Sequence, residues 1–255
     1  MARLDGKVAV ITGSGRGIGR GCALVFAREG CKVVVATRTE GPGMKTVKDI
    51  EDEGGHAAFV QTDVSAPAQI AKAIKIGVER YGRLDVLVNN AGWHPPSMTI
   101  DETSLNDLES LLRLNLTSTF MGCKYAVKHL RKTRGCIINM ASMVGILGQN
   151  NAVSYCATKA GQIGLTKALA MELAPVGVRV NAVLPAGVDT PLMHEWASSM
   201  PDTEASLQLV DAIHPIGRMA TAEEIGRACL FLASEDAAFV TGHSLQVDGG
   251  ASLDY

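Results

Sequence analysis

Tyr155 and Lys159 stand four residues apart in Ser154-Tyr-Cys-Ala-Thr-Lys159, with Ser142 thirteen residues upstream. On a helix, that spacing places the phenol and the ammonium one turn apart on the same face. A free tyrosine has a pKa of about 10, so acid–base work near neutrality needs a shift of up to roughly three units, or about 4 kcal/mol. A positive charge ~4 Å away at an effective dielectric of ~20 supplies about 4 kcal/mol. The pair is therefore sufficient to move a proton onto or off an alcohol oxygen. Ser142 ends a predicted strand in Ile137-Ile-Asn-Met-Ala-Ser142. Its hydroxyl can donate to a substrate oxygen on which charge builds during reduction. Tyr-x-x-x-Lys alone also describes an interfacial tyrosine beside a surface lysine, and the added Ser142 favours chemistry. Asn115 lies in Leu111-Leu-Arg-Leu-Asn-Leu116, an apolar helical stretch where a polar side chain needs a reason. A satisfied core amide is the other reading of Asn115.

A second chemistry-bearing group sits near the N-terminus, in Thr12-Gly13-Ser14-Gly15-Arg16-Gly17-Ile18-Gly19. It closes one predicted strand and opens a helix, where the backbone bends tightly and unpaired N–H groups can meet the pyrophosphate of a dinucleotide. A Cβ at Gly17 or Gly19 is expected to block that approach. A tight turn without a ligand would show the same glycines, but the strand–helix alternation that follows favours the phosphate site. The second predicted strand ends Val35-Ala36-Thr37-Arg38-Thr39-Glu40. A carboxylate at that end would accept from the ribose hydroxyls of NAD, whereas Thr37 leaves room and Arg38 can fork onto a 2′-phosphate. Arg16 is expected to approach the same phosphate from the other side. NADP is the expected cofactor ahead of NAD. Glu40 points the other way, and both arginines could be solvated surface residues.

Positioning these groups falls to short β-branched runs alternating with helical patterns. Strands are predicted at Val8–Thr12, Val33–Ala36, Ala57–Gln61, Val86–Asn89, Cys136–Asn139, Val178–Val183 and Ser244–Val247. Their continuous apolar character implies burial on both faces. The expectation is an α/β, doubly wound (Rossmann) seven-stranded parallel sheet with helices on both faces, forming a single domain over 1–255. The stretch 190–219, with three prolines and Met193-His-Glu-Trp196, breaks the rhythm and is expected to be a short lid insertion over the strand ends. The 255 residues carry a net charge of −2, which gives no field to attract nucleic acid or an anionic membrane. No apolar run approaches the roughly 18–20 residues of a membrane span, and no signal-peptide pattern precedes the first strand. Six cysteines without CxxC spacing read as reduced thiols in a cytoplasmic protein, with no metal site.

Together these motifs resemble the short-chain dehydrogenase/reductase superfamily, from Lys7 to about Gly250. The likeness includes the glycine loop, Asp63-Val64, Asn89-Asn-Ala-Gly92, Asn115, Ser142, Tyr155, Lys159, the Pro185–Pro191 segment and Asp248-Gly249-Gly250. The resemblance implies a tetrad. Tyr155 would be the acid/base, Ser142 would position the substrate oxygen, and Lys159 would bind the nicotinamide ribose while lowering the tyrosine pKa. Asn115 would hold a water that completes a proton relay. It also implies that Gly13, Ser14, Arg16, Gly17, Ile18 and Gly19 cradle the cofactor and that Asp63 and Val64 meet the adenine. Asn90, Ala91 and Gly92 would lie along the ribose, and Val188 and Thr190 would hold the carboxamide. A homotetramer or dimer would form through long helices at Leu105–Leu130 and Tyr155–Leu173. Two departures stand out: Pro185-Ala186 where the family commonly has Pro-Gly, and Ala141 where it has the first of two serines.

Asn90-Ala-Gly-Trp-His-Pro-Pro96, Gly145-Ile-Leu-Gly-Gln149 and Met200-Pro-Asp202 are similar to the type 14 branch of the 17β-hydroxysteroid dehydrogenases, associated with steroid and L-fucose oxidation. They fall where substrate is expected, so His94 and Gln149 become candidate ligands for substrate hydroxyls beside Ser142 and Tyr155. His94 could equally be a loop residue stiffened by Pro95 and Pro96. The expected reaction is hydride transfer between a nicotinamide cofactor and a small-molecule secondary alcohol or ketone, or a sugar or polyol. A 3-ketoacyl-carrier-protein reductase is the alternative, though the 190–219 segment lacks a basic docking patch. A non-catalytic dinucleotide sensor would typically lack one of the four tetrad positions. Enoyl reductases separate their tyrosine and lysine more widely than Tyr155 and Lys159.

Overall fold

The computed structural model describes residues 2–253; Met1, Asp254 and Tyr255 lie outside them. Seven parallel strands form one sheet in the order β3-β2-β1-β4-β5-β6-β9. They are β1 (Val8–Thr12), β2 (Lys32–Thr37), β3 (His56–Gln61), β4 (Val86–Asn89), β5 (Cys136–Met140), β6 (Arg179–Pro185) and β9 (Ser244–Val247). Every residue of β1, β4 and β5 is buried, as two-sided coverage requires. Side chains alternate between two cores. Ala9, Ile11, Val33 and Val35 pack on one face with α1 (Gly17–Arg28) and α9 (Ala222–Ala233). Val10, Val34, Leu87 and Ile137 pack on the other with α3 (Pro67–Tyr81), α5 (Ser118–Thr133) and α6 (Val153–Leu173).

The chain reverses its direction of travel across the sheet between β1 and β4, the strands that pair Ala9 with Val86. Connections leave these neighbours towards opposite sides, which opens a crevice beyond their carboxyl ends. The glycine loop after β1 and the Asn90–Pro96 loop after β4 both face that crevice. The expected fold is the observed one, and helix α2 (Glu40–Asp52) covers the outer strands.

Two expectations change. The helix predicted over Leu105–Leu130 is three segments: α4 (Leu105–Leu111), a π-helical stretch at Leu112–Thr117, and α5. The wider π turns carry Asn115, which is fully buried, and such bulges recur at functional sites. Apolar periodicity cannot register the change because α and π turns use the same residue types. The 190–219 insertion is ordered rather than irregular. It forms α7 (Pro191–Ala197) and α8 (Thr203–Ala212), capped by Thr190 and Asp202. A second sheet, β7 (Val188–Asp189) with β8 (Ala220–Thr221), closes its base. His214 pins it further, its Nε2 accepting from the Gly187 N–H at 3.1 Å.

Candidate active site

Positive φ angles at Gly13 (66°) and Gly17 (53°) shape the loop after β1, a conformation that side chains disfavour. A Cβ on Gly19 would lie 2.5 Å from the Gly13 carbonyl oxygen and from Asn90 Nδ2. The sequence reading assigned Gly19 to ligand approach; the structure shows that closure of the loop itself already demands it. Helix α1 begins there with no side-chain cap and no acidic residue in its first turn. Its first N–H groups and dipole are thus available to an anion. These features fit the pyrophosphate of a dinucleotide. A cavity of about 460 Å³ opens beside the loop, lined by Gly15, Arg16, Gly17, Pro42 and Lys45 among others. It lies at the nucleotide end of the crevice, and Tyr155 does not line it.

Several expected cofactor residues are tied down by the protein. Ser14 is fully buried, and its hydroxyl donates to the Ile11 carbonyl at 2.7 Å. The Asn90 amide donates to the Thr12 carbonyl at 2.9 Å and less closely to Gly13, while Asn90 and Ala91 N–H both donate to the Thr12 hydroxyl at 3.0 Å. Asn90 therefore ties β4 to the glycine loop. Arg16, expected on a 2′-phosphate, forms an ion pair with Glu195 of α7. Opposite charges across the gap between the glycine loop and α7 account for that pairing. Arg38 is exposed at the end of β2, and Thr37 packs beneath it against Gly15. The Asp63 carboxyl is held below its ordinary range by the Ser65 hydroxyl and N–H, with a smaller contribution from Arg38. Val64 and Val188 are buried, Ile18 packs on the core, and the Thr190 hydroxyl accepts from Met193 N–H.

Deeper in the crevice the tetrad candidates converge. Tyr155 opens the first turn of α6 and Lys159 follows one turn later, its Nζ 5.6 Å from the tyrosine ring centroid. Tyr155 is partly buried as a residue, but its hydroxyl is enclosed. Burial pushes that hydroxyl up from its ordinary value, and the Ser142 hydroxyl opposes the rise. Burial pushes Lys159 down to about 7. Enclosure penalises the charged form of each group, the phenolate and the ammonium, so the two shifts run in opposite directions. Lys159 Nζ donates to the Met140 carbonyl at 2.8 Å and to Gln162 Oε1 at 3.1 Å.

Asn115 is committed as well. Its Oδ1 accepts from Trp93 N–H at 3.0 Å, and its Nδ2 donates to the Trp93 carbonyl and the Thr158 hydroxyl. Its carbonyl accepts from Gln162 Nε2 and the Thr119 hydroxyl, each at 2.8 Å. The expected water would have to compete with two protein donors at that oxygen. Gly92 passes over this group, where an added Cβ would stand 3.2 Å from Asn115 Oδ1 and 3.8 Å from Lys159 Nζ.

At the mouth, the His94 ring lies 4.2 Å from the Tyr155 ring, centroid to centroid, and its Nε2 faces Gln149 Oε1 at 3.4 Å. Burial holds His94 below its ordinary pKa, so its neutral form is favoured. The sequence-selected pair His94 and Gln149 thus meets beside Tyr155. Helix α7 adds Trp196, which sequence reasoning left without a role. Its ring stands 6.4 Å from His94, and its Nε1 is buried without a hydrogen-bond partner among the described residues. Gln162 was also missed. A run of polar residues at helical spacing, Thr158, Lys159, Gln162 and Thr166, was the available signal. No cluster of potential metal ligands exists among the described residues.

The family described as "Enoyl-(Acyl carrier protein) reductase" matches residues 13–252. An L-fucose dehydrogenase of Bos taurus is 43% identical over 253 residues, covering 99% of this chain and 92% of the relative. A 3beta-hydroxysteroid dehydrogenase 1 of Eggerthella lenta is 38% identical, covering 98% and 95%. Among solved structures, a levodione reductase superposes with a TM-score of 0.95 at 30% identity, covering 99% of this chain and all of that one. With the nucleotide crevice and a Tyr–Lys pair at its floor, these likenesses place the chain in the short-chain dehydrogenase/reductase superfamily, as an oxidoreductase that acts on CH–OH groups with a nicotinamide cofactor.

Proposed function

We propose that this enzyme oxidises a secondary hydroxyl of a sugar or polyol, with Tyr155 as the proton-transfer group and NADP as the preferred carrier. The carrying observation is the polar mouth around Tyr155, where neutral His94, Gln149 and the unpartnered Trp196 Nε1 converge within one aromatic cluster. A steroid would offer such groups few hydroxyls, and their desolvation would go unrewarded. A polyol can bond to each in turn. The likeness to an L-fucose dehydrogenase supports the same reading.

When bound, the nicotinamide supplies the hydride acceptor. The chain's residues do the rest. Ser142 holds the reacting oxygen by a hydrogen bond, and Tyr155 takes its proton on oxidation or returns it on reduction. Lys159, poised near neutrality, lowers the cost of a charged phenolate whenever it is protonated. The His94 ring, tilted 50° against the Tyr155 ring at 4.2 Å, shields that oxygen from bulk water. Arg38, exposed at the end of β2 one residue after the Thr37 that packs against Gly15, is the residue assigned to a 2′-phosphate.

The apolar groove of Leu116, Phe120, Gly161 and Leu165 between α5 and α6 supports a homotetramer formed through these helices. Phe120 is half exposed there.

The test is turnover on matched panels of sugars, polyols, hydroxysteroids and ketoesters with each nicotinamide. Polyol activity should dominate, and His94→Ala and Gln149→Ala should each raise KM for the polyol about tenfold. Steroid turnover indifferent to both substitutions would overturn the substrate assignment.

A further inference from the structure

Gln162 lies on the buried stripe of α6 that carries Thr158, Lys159 and Thr166, spaced three or four residues apart and therefore on one face. It is 1% exposed, and nothing in the proton-transfer scheme above uses it. An amide in such a place must satisfy three groups to offset its desolvation. It does so across two helices. Its Oε1 accepts from Lys159 Nζ at 3.1 Å, and its Nε2 donates at 2.8 Å to both the Asn115 carbonyl and the Thr119 hydroxyl. Thr119 in turn donates to the same Asn115 carbonyl.

We propose that Gln162 is a positioning residue for Lys159, clamping the ammonium to the π-helical segment at Asn115 and so fixing which way its remaining N–H points. The inference rests on the reading of this site as an alcohol dehydrogenase centre. An ammonium has three donors in fixed tetrahedral directions. The Met140 carbonyl and Gln162 Oε1 take two, which determines the third. Gly92, with no side chain, leaves space beside Nζ for that donor. The glutamine amide does not itself gain or lose a proton near neutrality. It orients the lysine and carries no proton onward, occupying the Asn115 oxygen that a relay water would otherwise need. Two titratable groups face Lys159: Tyr155 on its own helix and His94 from the loop after β4, which it influences electrostatically. The other neighbours, Met140, Asn115 and Thr119, are neutral. Because burial already holds Lys159 near 7, its protonation balance is sensitive to a single lost or altered acceptor.

The experiment compares wild type, Gln162→Leu and the nearly isosteric Gln162→Glu. Two readouts are taken: the NMR titration of the Lys159 side chain, assigned with Lys159→Arg, and the pH dependence of kcat on a secondary alcohol. Gln162→Leu should lower the Lys159 midpoint by about one pH unit and reduce kcat about ten- to a hundredfold, with cofactor affinity within about threefold of wild type. Gln162→Glu keeps the acceptor and adds a negative charge, so the midpoint should rise by about one unit and the acidic limb of kcat should move with it. An unchanged Lys159 midpoint in both variants overturns the proposal, whatever happens to melting temperature. Absence of turnover by the wild type on every alcohol tested would overturn the dehydrogenase reading instead, and the titration would still decide the role of Gln162.

Discussion

The nucleotide end of the crevice is shaped by backbone, through Gly13 and Gly17 at positive φ and a Gly19 that touches the Gly13 carbonyl. The substrate end is shaped by side chains, with His94, Gln149 and Trp196 arriving from three separate segments. The first region is contiguous in sequence and rests on β1, an interior strand of the sheet. The second is assembled from a loop after β4, a turn after β5 and helix α7. Backbone geometry tolerates few residue types and so holds one ligand class. Side chains on loops can be exchanged without disturbing the sheet, which is how one fold serves many substrates.

Between the two ends sits Tyr155, and its removal should separate them most sharply. Tyr155→Phe is expected to reduce turnover by about a thousandfold or more while leaving cofactor affinity nearly unchanged in a fluorescence titration. Retention of most activity would mean that proton transfer runs through another group. Next in size is Gly19→Ala, whose Cβ must displace the Gly13 carbonyl or Asn90. It should cost about 2 kcal/mol in chemical denaturation and abolish measurable cofactor binding, with no rescue by excess substrate. Unaltered cofactor affinity would show that the loop is more pliable than its contacts indicate. The smallest expected effect is Arg38→Asp, which should weaken NADPH about tenfold or more and leave NADH nearly untouched by calorimetry. Equal changes for both cofactors would remove Arg38 from the 2′-phosphate and blur the distinction between a fixed cradle and an adjustable rim.

Much of the molecule was legible before its structure. Continuous apolar runs such as Val8–Thr12 and Val86–Asn89 announced strands buried on two faces, and both occupy those residues. Tyr155, Lys159 and Ser142 were selected by type and spacing, and His94 and Gln149 by the resemblance of their segments, and they lie together. The lid's helices were less visible, since prolines at 191, 201 and 215 read as breakers although Pro191 occupies the first turn of α7. The π segment left no trace in the pattern. The Arg16–Glu195 ion pair was invisible to the sequence because its partners stand 179 residues apart.

Local sequence thus determined whatever depends on neighbouring residues: the strand periods, the glycine turn and the one-turn spacing of Tyr155 and Lys159. Only the tertiary structure decided protonation and commitment. Burial by distant elements drives the Tyr155 hydroxyl upward and Lys159 down to about 7, and contacts across the fold engage Asn115, Asn90 and Gln162. Desolvation and hydrogen-bond satisfaction are set by everything that surrounds an atom, and those surroundings come from parts of the chain that spacing alone cannot bring together.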